Sequence, residues 1–219
     1  TMSALAQPDY PATRNVYYPT HVLHPHNDGR TYVLDYDGAN GRLHSFTTDK
    51  DGTNGAATYN DLVLPPGLMP FDADSFGTDL AILCSPQAVY TAGAVPRPGV
   101  NAVLALWDTV PGNRPYRYIP IGEPLATAII SRNGQLYVFA GNIDTNVKVL
   151  RYLGGYSFEV VAQVDEGSPP YAGAVDAEGN LLAWGGHVTY PTARAGVFTL
   201  GFRSGKLPAD SLNHIGMTT

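Results

Sequence analysis

The sequence predicts an all-β chain of about four short antiparallel units, on the strength of three observations. Twenty-four glycines and 18 prolines in 219 residues punctuate the chain into many short elements. Fourteen tyrosines favour strands, and an apolar share of 44% against a charged share of 15% gives the chain enough burial to offset its ordering entropy. Finally, one order of strands and turns returns along the chain at intervals of 45 to 48 residues, with no useful stretch of helical period.

The clearest copy runs from Ala126 to Val164. Ala126-Thr-Ala-Ile-Ile130 is rich in β-formers and leads to Asn133-Gly134, a two-residue hairpin signal because both residues tolerate positive φ. Gln135-Leu-Tyr-Val-Phe-Ala140 follows as a second strand and is closed by Gly141. Val147-Lys-Val-Leu-Arg-Tyr-Leu153 alternates between two faces, Gly154-Gly155 reverses the chain, and Ser157-Phe-Glu-Val-Val-Ala-Gln-Val164 completes the meander.

Upstream, the same grammar reads Leu80–Ser85, Gln87–Gly93, Asn101–Trp107 and Tyr116–Ile121; downstream it reads Tyr171–Val175, Asn180–Gly186 and Gly196–Phe202 with a turn at Ser204-Gly205. A weaker first copy holds His21–Leu23, Thr31–Tyr36 and Leu43–Phe46. Gly93, Gly141 and Gly186, which close the second strands, are 48 and 45 residues apart. A lone meander cannot cover both its faces, and stacking several about an axis does so. The expected fold is therefore a β-propeller of about four four-stranded antiparallel blades in one domain over 1–219. The blades fall roughly at 20–66, 79–122, 125–165 and 170–207. The stretch 1–19, through Asn15-Val-Tyr-Tyr18, could supply a closing strand, because Leu212-Asn-His-Ile215 is a poor candidate for one. A β-sandwich of irregular hairpins is the alternative; it explains the strands and leaves their spacing unexplained.

The strands Leu136-Tyr-Val-Phe-Ala-Gly141 and Leu182-Ala-Trp-Gly-Gly186 resemble the kelch repeat, whose second strand ends in a glycine pair. Tyr152 and Phe158 resemble its aromatic pair on the third and fourth strands. Four blades in about 200 residues also resemble the hemopexin-type propeller, whose blade openings carry an Asp-Ala pair, here Asp72-Ala73 and Asp176-Ala177. The kelch resemblance implies a protein that binds partners or carbohydrate, and in some members an enzyme.

Charge and composition exclude several functions. The net charge of −6 with 13 Lys and Arg provides no basic stripe for nucleic acid. No apolar run reaches the length of a membrane span, so no membrane insertion is expected. The opening Thr1-Met-Ser-Ala4 has no basic-then-apolar signal pattern and hints at a trimmed chain. Cys84 is the only cysteine, which precludes an intrachain disulfide, and its apolar surroundings suit a buried inert thiol.

In a propeller, turns between first and second and between third and fourth strands emerge at one end. They read as tight here: Asn133-Gly134, Glu178-Gly179, Gly154-Gly155 and Ser204-Gly205. The other connections, 65–79, 94–100, 142–146, 165–170 and 187–195, read as long and varied, and a rigid frame usually displays its binding residues on such loops. His187-Val-Thr-Tyr-Pro-Thr-Ala-Arg194 is the richest: Tyr190 offers a flat face with a hydroxyl, Arg194 a five-donor fork and His187 a switchable group. With Arg97, Asn142 and Asp144 these residues form the expected partner- or ligand-binding set.

Weaker constellations are His21, His24, His26 and Asp28, a zinc-like spacing broken by Pro25, and the calcium-like turns Asp35-Tyr-Asp37-Gly38 and Asp49-Lys-Asp51-Gly52, which lack a completing carboxylate. No catalytic motif occurs, so no catalytic residue, metal or cofactor is expected. The favoured function is a non-enzymatic binding or assembly module for a protein or glycan partner, extracellular or in a virion, such as a phage tail component. The alternatives are a carbohydrate-active hydrolase or lyase with Asp144 and Asp165 in the propeller mouth, and a fragment of a larger propeller.

Overall fold

The computed structural model describes residues 19–23, 30–36, 41–48, 55–62, 68–86, 101–108, 117–142, 146–165, 170, 172–177, 179–185, 195–200 and 212–217. Its strands fall into four sheets of four, each antiparallel and ordered as in the sequence. By contacts the chain divides into two compact units, 1–70 and 71–219.

In the first unit, β1 (Pro19–Leu23), β2 (Thr31–Tyr36), β3 (Gly41–Thr48) and β4 (Gly55–Leu62) form one meander. Tyr32, Leu34 and Leu43 are buried in it. Asp35, placed by the sequence at the edge of a calcium-like turn, is fully buried within β2. Asn15 to Tyr18, Asp37 and Asp49 to Asp51 lie outside the described residues.

The second unit carries three meanders. The first is β5 (Leu68–Phe76), β6 (Asp79–Pro86), β7 (Val103–Asp108) and β8 (Arg117–Pro120). The next is β9 (Leu125–Arg132), β10 (Gln135–Asn142), β11 (Asn146–Gly154) and β12 (Ser157–Val164). The last is β13 (Ala172–Val175), β14 (Leu181–Gly185), β15 (Ala195–Leu200) and β16 (Leu212–Met217). The β9–β12 sheet matches the sequence template, and Asn133 (φ 49°) and Gly134 (φ 72°) take the left-handed pair that an Asn-Gly hairpin requires.

Two differences from the sequence reading have physical causes. Residues 68–76, expected in a connection, are the first strand of the second sheet, which makes Leu80–Ser85 the second strand. Pro70, Asp72 and Asp74 disguised it: proline and aspartate are poor strand formers, and β5 is an edge strand that tolerates them. Gln87–Gly93, expected as a strand, lies outside the described residues. The second difference is β16, which the sequence discounted and which pairs with β15 from Ala195↔Met217 to Leu200↔Leu212. Ser204-Gly205, expected as a tight turn, lies in the connection 201–211, outside the described residues.

The β9–β12 sheet is covered on both faces. Along β10, Leu136, Val138 and Ala140 enter one core with Ala81, Leu83, Leu104, Leu106 and Ile119 of the preceding sheet. Tyr137 and Phe139 enter a second core with Leu181 and Ala183 of the following sheet. Period-two alternation thus sends neighbouring side chains into different cores. A bulge resets it: Ala140 pairs with Ala126 and Phe139 with Ala128, so Thr127 is the extra residue of β9. Thr127 Oγ1 donates to the Pro170 carbonyl at 2.5 Å. A two-layer sandwich gives each sheet one buried face, whereas here three consecutive sheets are layered by two separate cores.

The edge of β9 is met by side chains of the preceding sheet. Ser85 Oγ donates to Ala126 O (2.6 Å) and accepts from Ala126 N (2.9 Å). Asp72 Oδ2 accepts from Ile129 N (2.8 Å) and its Oδ1 from Ala73 N (2.9 Å); Asp74 Oδ2 accepts from Ser131 N (2.6 Å). Asp72 and Ser85 are buried. Removing the Asp72 carboxylate strands buried N–H groups at about 1–3 kcal/mol each. We expect Asp72→Ala to lower the free energy of urea unfolding by at least about 2 kcal/mol, and Asp72→Asn, whose amide keeps one acceptor oxygen, to lose less. An unchanged unfolding midpoint for Asp72→Ala contradicts the assignment.

Burial also raises one thiol and two phenols of this unit. Desolvation pushes the fully buried Cys84 thiol far above its ordinary value near 9, and raises the Tyr118 and Tyr152 hydroxyls above their ordinary value near 10. A folded-state pKa above the unfolded one gives stability that is complete below the unfolded value and lost as pH rises from there through the folded value. The urea midpoint should therefore hold level to about pH 9 and fall above it, and Cys84→Ala should delay the fall toward pH 10. A midpoint that stays level through pH 11 would sink this expectation.

Candidate functional site

Hairpin turns gather at one end of the second unit's sheets. Residues 77–78, 133–134 and 155–156 each link two strands directly, and 176–180 links β13 to β14. In the last of these, Asp176 accepts from Asn180 N at 2.7 Å and from its side-chain amide at 2.9 Å. Asp176-Ala177 is thus turn chemistry, whereas Asp72-Ala73 lies within a strand.

A cleft of about 340 Å³ opens at this end between the second and third sheets. Phe76, from the end of β5, and Arg117, from the start of β8, line one side; Gln135 of β10, Tyr152 to Gly154 of β11 and Gly155 of the following turn line the other. The Phe76 and Tyr152 rings meet edge to face with centroids 6.0 Å apart, and Tyr152 packs against Phe158 at 5.4 Å. The aromatic pair noted in the sequence is therefore a real contact across β11 and β12. Tyr152 OH donates to the Gly155 carbonyl at 3.1 Å.

Arg117 Nη2 donates to Asp79 Oδ2 at 3.2 Å, with the Arg117 side chain 58% exposed. Such an open pair adds little stability, which leaves it available to a ligand. It still reaches Tyr152, whose raised pKa comes first from burial; Arg117 works against that rise, and Asp79 and Tyr156 add to it. Leu153 of β11, which lines the cleft, is exposed, and Tyr156, three-quarters exposed, follows on the β11–β12 turn. Nothing occupies the space where a Cβ at Gly154 or Gly155 would sit, so the floor of the cleft stays open. Sequence reasoning missed this site because its residues come from four strands of two sheets, at an end whose turns look too short to bind.

Of the binding set expected from sequence, the structure describes Asn142 alone; Arg97, Asp144, His187, Tyr190 and Arg194 lie outside the described residues. Asn142 ends β10, exposed, at the opposite end from the cleft, in register with Asn146. Asn146 Oδ1 is shielded from solvent and has no hydrogen-bond partner among the described residues, an acceptor the sequence reading overlooked. Gly141 (φ 149°) permits this tight approach, since a Cβ there would collide with the Asn146 carbonyl. Asp165, proposed for the mouth, is exposed after β12 and accepts from Gln163 at 2.5 Å. His21 falls on β1, and His24, His26 and Asp28 are outside the described residues. Among the described residues no group of three or more His, Cys, Asp or Glu is placed to hold a metal.

No protein-family model matches the chain. No curated protein sequence matches it either. Among solved structures it is similar to the PQQ-bound form of aldose sugar dehydrogenase from Streptomyces coelicolor, with a TM-score of 0.53 and 14% identity. The likeness covers 86% of this chain and 63% of that one, so the chain matches less than two thirds of the neighbour's length. That neighbour is a β-propeller, and neither the kelch nor the hemopexin type is singled out by it. Taken with four-stranded antiparallel sheets layered through separate cores, the likeness makes this chain a β-propeller.

Proposed function

We propose that the chain is a non-enzymatic binding module that engages a protein or glycan partner through the connections opposite its hairpin turns. One observation carries the reading: the longest connection, 87–102, lies at the end opposite the direct hairpins 77–78, 133–134 and 155–156, and 186–194 adds chain there, while 109–116 and 201–211 lengthen the hairpin end. Arg97, Asn142, Asp144, His187, Tyr190 and Arg194 are the residues proposed for this site, all but Asn142 outside the described residues, and their chemistry suits stacking and bidentate hydrogen bonding. The kelch resemblance, supported by the Tyr152–Phe158 contact, points the same way. A place in a larger particle, such as a phage tail, rests on composition alone.

A second reading draws on the aldose sugar dehydrogenase to which the fold is similar. It makes the chain a carbohydrate-active enzyme with Asp144 and Asp165 at the mouth.

On a glycan array the chain should bind a restricted set of glycans, and Tyr190→Ala and Arg194→Ala should each weaken binding about ten-fold or more, about 1.4 kcal/mol. Glycan binding that both variants leave intact removes these residues from the site. Turnover of any oligosaccharide that disappears in Asp144→Asn replaces the binding module with the enzyme.

A further inference from the structure

We propose that the cleft between the second and third sheets is a second binding site, independent of the long-connection end, and that it takes a neutral saccharide ring. The groups lining it argue for this class. Phe76, half-buried and packed against the buried Tyr152 ring, presents apolar ring surface, as the C–H face of a sugar requires. Arg117 commits one contact to Asp79 and keeps the rest of its five-donor fork for a ligand. Gln135 is exposed and uses one N–H on the Gly134 carbonyl at 3.3 Å, which leaves its amide oxygen as an acceptor. Donors and acceptors thus stand beside aromatic surface, which suits hydroxyls that both give and accept hydrogen bonds.

Charge separates a neutral sugar from an acid. Arg117 is already neutralised by Asp79, so an incoming carboxylate meets no net positive field and is repelled by the Asp79 oxygens. A neutral polyol avoids that repulsion and sheds less hydration on entry. The volume, about 340 Å³, lies at the small end of ligand sites, which fits one or two rings and not an extended chain.

The test titrates the full chain with methyl glycosides of glucose, galactose and mannose, and with glucuronate, by calorimetry and ligand-observed NMR. At least one neutral glycoside should bind saturably and more tightly than glucuronate. Its affinity should drop about ten-fold or more in Arg117→Gln and again in Gln135→Ala, an exposed position at the start of β10 whose change leaves the fold intact by circular dichroism. The proposal is overturned if none of the three glycosides saturates at millimolar concentration, if glucuronate binds tighter, or if binding survives both substitutions.

Discussion

The edge of β9 sets the architecture of the second unit. A first strand in a four-stranded sheet presents a row of N–H and C=O groups with no strand beside them, and such an edge invites a fifth strand or a second molecule. Here Ser85, Asp72 and Asp74 of the preceding sheet occupy that row, bonding Ala126, Ile129 and Ser131. Side chains stand in for a strand, so the sheet ends and the next one begins. Because carboxylate and hydroxyl reach across from another sheet, the same bonds that stop growth also fix how far the two sheets are offset.

The buried carboxylate can hold this position because its acceptors are filled by amide donors, the one circumstance in which burying such a group is tolerable. Thr127 does the equivalent work toward the following sheet, turned outward by the bulge that displaces it from the ladder. Arg132 extends the pattern, with Nε donating to the Gly179 carbonyl in the β13–β14 turn. Apolar cores supply the attraction between sheets and these polar contacts supply the register. An apolar face alone would let sheets slide.

Legibility of the sequence followed how local the signal was. Asn133-Gly134, the apolar alternation of β10 and the Gly154-Gly155 reversal each act within a few residues, and the β9–β12 sheet emerged from them whole. The second sheet did not, because Asp72 and Asp74 are explained only by amides 57 residues away, and without those partners they look like loop residues. The even glycine spacing misled for a related reason: it located second strands in the third sheet correctly while β6 ends at Pro86, ahead of Gly93. Strand β16 lacked an apolar pattern and is held by backbone pairing with β15, a contribution that carries no side-chain signature.

Sites are harder still, since a cleft between sheets belongs to no segment. Phe76, Arg117, Gln135 and Tyr152 are separated by 41, 18 and 17 residues and share no motif, yet the blade geometry brings them to one opening. Each sits within two residues of a strand end, where alternation stops dictating burial and a side chain is free to be polar, aromatic or charged. Short turns do not preclude recognition at that end. They hold the strand termini in fixed positions, and a rigid frame loses less conformational freedom on binding than a long loop does. The cleft among the hairpins is a preformed opening of this kind.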